Sequence, residues 1–456
     1  MPIQELPRFR LKALISAIAV ALPVAFFYSI LLGQASEIPI YDDYRLLLGF
    51  VNVMVGLQTF SAKASYFLGA QHNEYKLFFA HGVVWLQFAA LGHVNMRLLC
   101  AIGNGFGLLL GMLLWKMFLP NHKNIASRLV YFIPVSWLLF QFQFIETLNW
   151  ATGSLQNLPV LFFSLGAIYL LVRGMRREFI AALAFLIMAI ASNGNGLLVI
   201  PIGILILALN RRYGRIVPWL VVSAGCLAAY AYKYNVMSSQ SPVHPSIFST
   251  LTGLRPLFVL AFIGNAAAFP IRAGFLGVSA LLCPLLGVVV CTFLFYLVQR
   301  GYCRRNPLVS YCVLFLLLTS LGAAGLRSDL GLMQSLTSRY GIFSVLVVIF
   351  AWFAIVEEFL LDESVPRRNR ILTSAIAFSV VFALIMDAGG VHYSAVRNRE
   401  LIRGMTAFEH PASPESTAGP ILPLPNQPAS SDLVDLQARA ILIQSIKTGI
   451  YRPPAF

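Results

Sequence analysis

Charge is what this sequence has least of. Only 11% of its 456 residues are Asp, Glu, Lys or Arg, against roughly a quarter in an ordinary globular domain, so there is too little charge to cover a water-soluble surface. Carboxylates are the scarcer sign, 18 against 33 Lys and Arg, which leaves a net charge of +15. Cysteine is sparse too. Its six copies lie in or beside apolar stretches with no CxxC spacing, which argues against a disulfide scaffold or a zinc module and leaves small packing residues. There is no Walker A segment, no GxGxxG ahead of a helix, no HExxH and no GxSxG, so the residues that usually carry P-loop, dinucleotide, zinc-protease and α/β-hydrolase chemistry are missing. No aromatic and basic interleaving on a soluble face suggests nucleic acid. What is present is apolar: 58% of the chain, with a mean hydropathy of +0.77. This composition predicts an all-α, polytopic transmembrane helical bundle lodged in a lipid bilayer.

Apolar stretches of spanning length fall near 11–33, 95–117, 128–145, 157–174, 178–193, 195–210, 216–234, 273–299, 308–325, 339–361 and 371–388, about eleven spans. The pair flanking Ser192-Asn193-Gly194-Asn195-Gly196 is short and reads as two helices joined inside the membrane or at its outer face. With a cytoplasmic N-terminus, the inner connections carry Arg8, Arg10, Lys12; Lys116, Lys123, Arg128; Arg173, Arg176, Arg177; Arg211, Arg212, Arg215; Arg300, Arg304, Arg305; and Arg367, Arg368, Arg370. That alternation is the positive-inside pattern, and it accounts for the basic excess. Helices near 75–92 and 250–268 break the alternation if counted as spans, so they are expected at the outer interface. The first apolar run is longer than a signal-peptide core and is read as an uncleaved anchor.

The chain therefore divides into a membrane region, 1–390, with a large first outer loop, 34–94, and a tail, 391–456. The tail has a proline-rich linker, 411–428, and a terminal helix marked by Leu433, Leu436, Ile441, Ile443 and Ile446, ending near Gly449. This helix packs either on the membrane face or on the outer loops.

Side chains that do chemistry collect in the outer segments. Asp42-Asp43 is either a solvated polar anchor or a general base, with at most one of the two acting. In the run Gln71-His72-Asn73-Glu74-Tyr75-Lys76, Asn73 and Glu74 read either as a helix cap and a dipole partner or, with His72, as a sugar-binding surface. Gln141, Gln143, Glu146, Thr147, Asn149, Trp150, Gln156 and Asn157 gather where the third span meets the fourth. Polar groups at such a depth need partners or a wet cavity, and Trp150 is either an interfacial belt residue or a stacking surface for a sugar. Asn193 belongs to a turn whose Gly and Asn tolerate positive φ. Arg327, Arg339 and Tyr340 flank a late outer loop, where arginine runs against the positive-inside bias and suits a phosphate.

In order along the chain, Asp42-Asp43, the His72-Asn73-Glu74 run, Glu146-Thr147-Leu148-Asn149-Trp150, Ser192-Asn193-Gly194-Asn195-Gly196 and Ser338-Arg339-Tyr340 resemble the GT-C superfamily of polytopic membrane glycosyltransferases. They are similar in plan to the bacterial O-antigen-modifying glucosyltransferases of serotype conversion, over about residues 10–390. The resemblance implies a polyprenyl-phosphate-linked sugar donor, a glycan or lipid-linked acceptor in the periplasm, and an acidic residue of the first outer loop as base, which maps to Asp42 or Asp43. In this reading Arg339, with Arg327 and Tyr340, holds the donor phosphate; Glu74, His72, Asn73, Glu146, Asn149, Trp150 and Asn193 bind sugars. No cofactor is needed, because Arg balances the phosphate charge, although Asp42, Asp43 and Glu74 offer a site for a divalent metal. A flippase for lipid-linked sugars and a polysaccharide polymerase or ligase are the competing readings.

Overall fold

Backbone amides surrounded by lipid have no water to bond, so a spanning chain satisfies them within helices. The computed structural model describes residues 5–72, 75–120, 124–235, 256–269, 276–328, 331–361, 368–409 and 432–454. Among these the protein is an all-α polytopic bundle whose only β-type pairings are isolated bridges, His72 with Tyr75 and Val94 with Tyr451.

Nine described helices are long and apolar enough to cross a bilayer, from Leu11–Gln34 at one end of the chain to Arg368–Thr406 at the other. The two expected spans that fall short are the helices Arg176–Ser192 and Val199–Leu209, which form a hairpin. Its turn takes the chain through extended Asn193, φ −164°, and no residue from 193 to 196 has a positive φ. Glycine is required there for another reason than the one expected: a Cβ on Gly196 would overlap the Ala189 carbonyl. The hairpin returns to the end it left. Arg212 Nη1 donates to Leu171 O and Arg215 Nη1 to Gly174 O, both at 2.7 Å, so both basic connections lie at one end of the bundle.

Helix contacts rest on small residues, as expected where lipid removes the hydrophobic drive between helices. A Cβ on Gly103 would strike Ser154 in the neighbouring helix Ala151–Arg173, and one on Gly203 would strike Trp219. Of the segment expected as an interfacial helix over 250–268, 250–255 lie outside the described residues; the described residues form a short helix, Pro256–Ile263, with Phe258, Ala261, Phe262 and Ile263 buried. It is locked in by Gln143 Nε2, which donates to Asn265 O and Ala268 O at 2.8 Å.

The first outer loop is helical through most of its length: a π-helix Asp43–Gly49, then Phe50–Gly56, Phe60–Gly69 and Phe78–Leu91. The last of these starts at Phe78, with Leu77 at the N-cap position, rather than at 75. Helix Arg368–Glu409 has 42 residues, about 63 Å at 1.5 Å per residue, twice a hydrocarbon core of ~30 Å. It runs unbroken through residue 390, past Gly389-Gly390, and Gly390 abuts Phe142. Its far half joins a second core, separate from that of the bundle, in which Leu401 and Met405 meet Ile40, Tyr44, Leu47 and Phe50 of the first loop and Leu442, Ile450 and Tyr451 of the terminal segment. The terminal helix Asp432–Lys447 thus packs on the outer loop, with Asn52 Nδ2 donating to Ser445 Oγ at 2.8 Å. Its buried side chains include Ala438, Leu442 and Ser445, whereas Leu436 and Ile443 of the expected apolar set are exposed. The proline-rich linker 411–428 lies outside the described residues.

Candidate functional site

Asp42 and Asp43 sit where the chain turns from the first helix into the π-helix, and the turn is sharp. Tyr41 has φ +49°, a left-handed conformation that is uncommon for a large non-glycine residue, and π-helical turns themselves recur at functional sites. The two carboxylates then part company. Asp43 is 1% exposed; its Oδ1 accepts from Thr152 N at 2.9 Å and Thr152 Oγ1 at 2.6 Å, and its Oδ2 from Ile40 N at 3.1 Å. It pins the loop to the N-terminus of helix Ala151–Arg173, where the helix dipole favours an acid. Burial pushes its carboxyl up to about 6, against the lowering effect of the Thr152 and Ile40 bonds. With its oxygens occupied and solvent excluded, Asp43 is placed to anchor the loop.

Asp42 is partly exposed, and its Oδ1 lies 3.2 Å from Nε2 of buried His72. Burial alone would raise its pKa, yet the His72 bond and charge, together with the positive charges of Arg339 and Arg45, hold it below the usual carboxylate value. His72 is fixed in turn by reciprocal backbone bonds with Tyr75. Asn73 and Glu74, between them, lie outside the described residues.

Beside this pair is a second cluster, reached from four elements. Tyr41 OH donates to Glu146 Oε1 at 2.8 Å, and Arg397 Nη1 stands 3.4 Å from the same oxygen. The Arg397 guanidinium lies over the Tyr41 ring, 4.6 Å from its centroid, and Trp150 meets that ring edge-on at 5.5 Å. Asn149 Nδ2 donates to Ser394 Oγ at 2.7 Å. Thr147 Oγ1 pairs with Ser338 Oγ at 3.2 Å, which brings the start of helix Ser338–Ile355, and so Arg339, to the cluster.

Several buried polar atoms here have no partner: Arg397 Nη2, Arg339 Nε, Asn149 Oδ1 and Trp150 Nε1. Such groups cost on the order of 1–3 kcal/mol each when left unpaired, and a set of them at one place suits a polar ligand. Three donors, two of them cationic, and one acceptor match an anionic or hydroxyl-rich molecule. Arg397 lies in the segment expected as the tail, 391–456, and is not among the expected site residues. The signal was present in Tyr393, Arg397, Leu401 and Met405, a four-residue rhythm that continues one helical face past the apolar stretch. Thr152 and Ser394 were also missed, since isolated hydroxyl residues carry no pattern; Ser338 was named only as part of the Ser338-Arg339-Tyr340 run, without a role.

Other expected site residues have structural work to do. Arg327 Nη2 donates to Tyr75 OH at 3.0 Å, supporting the turn that carries His72. Tyr340 packs on Phe262, with ring centroids 4.6 Å apart. Asn193 Oδ1 accepts from Gly194 N at 2.7 Å, closing its own hairpin, whose tip approaches Tyr75. Among the described residues no three His, Cys, Asp or Glu converge as metal ligands, and Asp42 and Asp43 direct their oxygens to different partners.

A polar cluster at one end of an all-α bundle with nine helices of membrane-crossing length defines the class: a multi-pass membrane protein with a candidate ligand site at one end. Comparison with known proteins found no matching family model and no similar curated protein.

Proposed function

We propose that the protein is a membrane glycosyltransferase, GT-C-like in plan, that moves a sugar from a polyprenyl-phosphate donor to a hydroxyl of a periplasmic glycan or lipid-linked acceptor at the bacterial inner membrane. The observation that carries this reading is the pairing of one accessible, ionised carboxylate, Asp42, with a neighbouring set of buried and unpaired donors, Arg397 and Arg339 among them. Outside the membrane there are no nucleotide sugars, so an activated sugar must arrive on a lipid phosphate. Using it requires a base for the incoming hydroxyl, cations for the departing phosphate and polar groups for the sugar.

In the proposed step Asp42 accepts the acceptor's hydroxyl proton as that oxygen bonds to the anomeric carbon. The bond from that carbon to the phosphate oxygen breaks, and its electron pair leaves with the polyprenyl phosphate, whose charge Arg397 and Arg339 receive. His72 fixes the Asp42 carboxylate, Trp150 offers an aromatic face to the sugar, and Asn149 Oδ1 accepts from one of its hydroxyls. Asp43 holds the loop in place.

Purified protein incubated with a polyprenyl-phosphate hexose and a lipid-linked glycan is expected to add one hexose to the acceptor, read as a mass shift. Asp42→Asn should lower transfer by about 10²–10⁴-fold while membrane insertion is unchanged. Full activity in that variant would sink the assignment, and movement of the donor across vesicles with no transfer would favour a flippase.

A further inference from the structure

A cavity lies at the other end of the bundle from Asp42. It is walled by Trp115, Lys116, Arg128, Tyr169, Leu170 and Arg173, with Pro120 at its edge. Helices Met96–Met117 and Ala151–Arg173 both start at the Asp42 end and reach this cavity with their last turns, about 30 Å away at 1.5 Å per residue. The two polar regions are therefore a hydrocarbon thickness apart.

The cavity brings three cations together, and among the described residues no carboxylate lines its wall. Glu178 touches the group only from outside, through Arg173 Nε at 2.8 Å. Arg128 stacks on Trp115, its guanidinium 4.0 Å from the ring centroid, and donates through Nη2 to Trp115 O; its Nε is buried without an acceptor. Arg173 Nη1 donates to Tyr169 OH at 3.1 Å. Lys116 is exposed. One and two turns back from Lys116 on the same helix face stand Met112 and Leu109, 58% and 40% exposed. A cationic cup thus opens onto an apolar strip running toward the middle of the bundle. Free phosphate would use the cup alone, whereas a phospholipid uses both parts, and basic pockets between helices at a membrane surface suit anionic headgroups.

We propose that this cavity binds the phosphate headgroup of an anionic membrane phospholipid, with Lys116, Arg128 and Arg173 around the phosphate, Trp115 and Tyr169 beside the glycerol, and an acyl chain along Met112 and Leu109. The site is separate from the Asp42 cluster and independent of the reaction proposed there.

Native mass spectrometry of the full-length protein, delipidated and then titrated with phosphatidylglycerol or phosphatidylcholine, tests this. One phosphatidylglycerol should be retained in preference to phosphatidylcholine and should raise the melting temperature. Lys116→Gln and Arg173→Gln, both at exposed side chains and so compatible with folding, should each weaken retention roughly fivefold, corresponding to about 1 kcal/mol per cation. Equal retention of the two lipids overturns the proposal, as does retention unchanged in both variants. It is equally overturned if inorganic phosphate alone stabilises the delipidated protein as much as phosphatidylglycerol does.

Discussion

Two adjacent aspartates have opposite environments, and the difference should be visible in pH. Asp43 is held up to about 6 by burial, above ~3.9 in an unfolded chain, so the folded state binds its proton more tightly. Stability should therefore rise as pH falls from 7 toward 4, by on the order of 1–3 kcal/mol. Asp42 is shifted the other way; its contribution is constant above the ordinary carboxylate range and is lost only below it, so it does not oppose the trend in that window. A higher melting temperature at pH 5 than at pH 7.5, flattened by Asp43→Asn, is the expected result. Arg397 provides the sharper functional test. Arg397→Gln removes a buried cation and leaves Glu146 with only the hydroxyls of Tyr41 and Tyr393, a change that costs both stability and transfer; Arg397→Lys keeps the charge but not the planar fork. If Arg397 receives the phosphate, Lys should restore most of the melting temperature while kcat stays at least ~10-fold down. Recovery of kcat in step with stability would make Arg397 merely structural. None of this was legible from spacing: Asp42 and Asp43 are told apart by Thr152, 109 residues away, and a sequence does not announce which neighbour a turn will meet.

At the level of elements, length and hydropathy were enough to find the long helices, because lipid imposes one solution on a chain that crosses it. Short elements were harder. The π-helix Asp43–Gly49 has no sequence signature, and helix Arg368–Glu409 runs on well past 388, where the apolar stretch ends. Gly390 is retained there because it abuts Phe142, where a Cβ would overlap backbone. That sets two effects against each other. Ala for Gly in a helix interior gains roughly 1 kcal/mol, whereas forcing backbone apart in a packed interior costs about 1–3 kcal/mol or more. Gly390→Ala should therefore lower the melting temperature. Gly105→Ala, in helix Met96–Met117 with nothing within 4 Å of the added carbon, should raise it slightly. The same shift in both variants would show that propensity alone decides, and that the contact with Phe142 is slack.

Across the whole molecule, the +15 charge is distributed by topology. Among the described residues, basic connections such as those of Lys116 and Arg128, Arg173 and Arg212 gather at the end away from Asp42, and the hairpin Arg176–Ser192 with Val199–Leu209 preserves the alternation because it returns to its starting side. Orientation can be read with a native probe. Cys303 is exposed beside Arg304 and Arg305 in the connection between helices Leu276–Gln299 and Pro307–Arg327; Cys100, Cys283 and Cys312 are buried, and Cys226 and Cys291 lie within apolar helices. A charged, membrane-impermeant thiol reagent should thus modify Cys303 in inverted vesicles and spare it in intact spheroplasts. Helix Pro307–Arg327 leads from that connection to Arg327 and the Asp42 end, so labelling from outside would place Asp42 in the cytoplasm. Nucleotide sugars are available there, and the requirement for a lipid-carried donor would disappear. The side on which one thiol reacts therefore bears directly on the substrate class proposed for a carboxylate about 30 Å away.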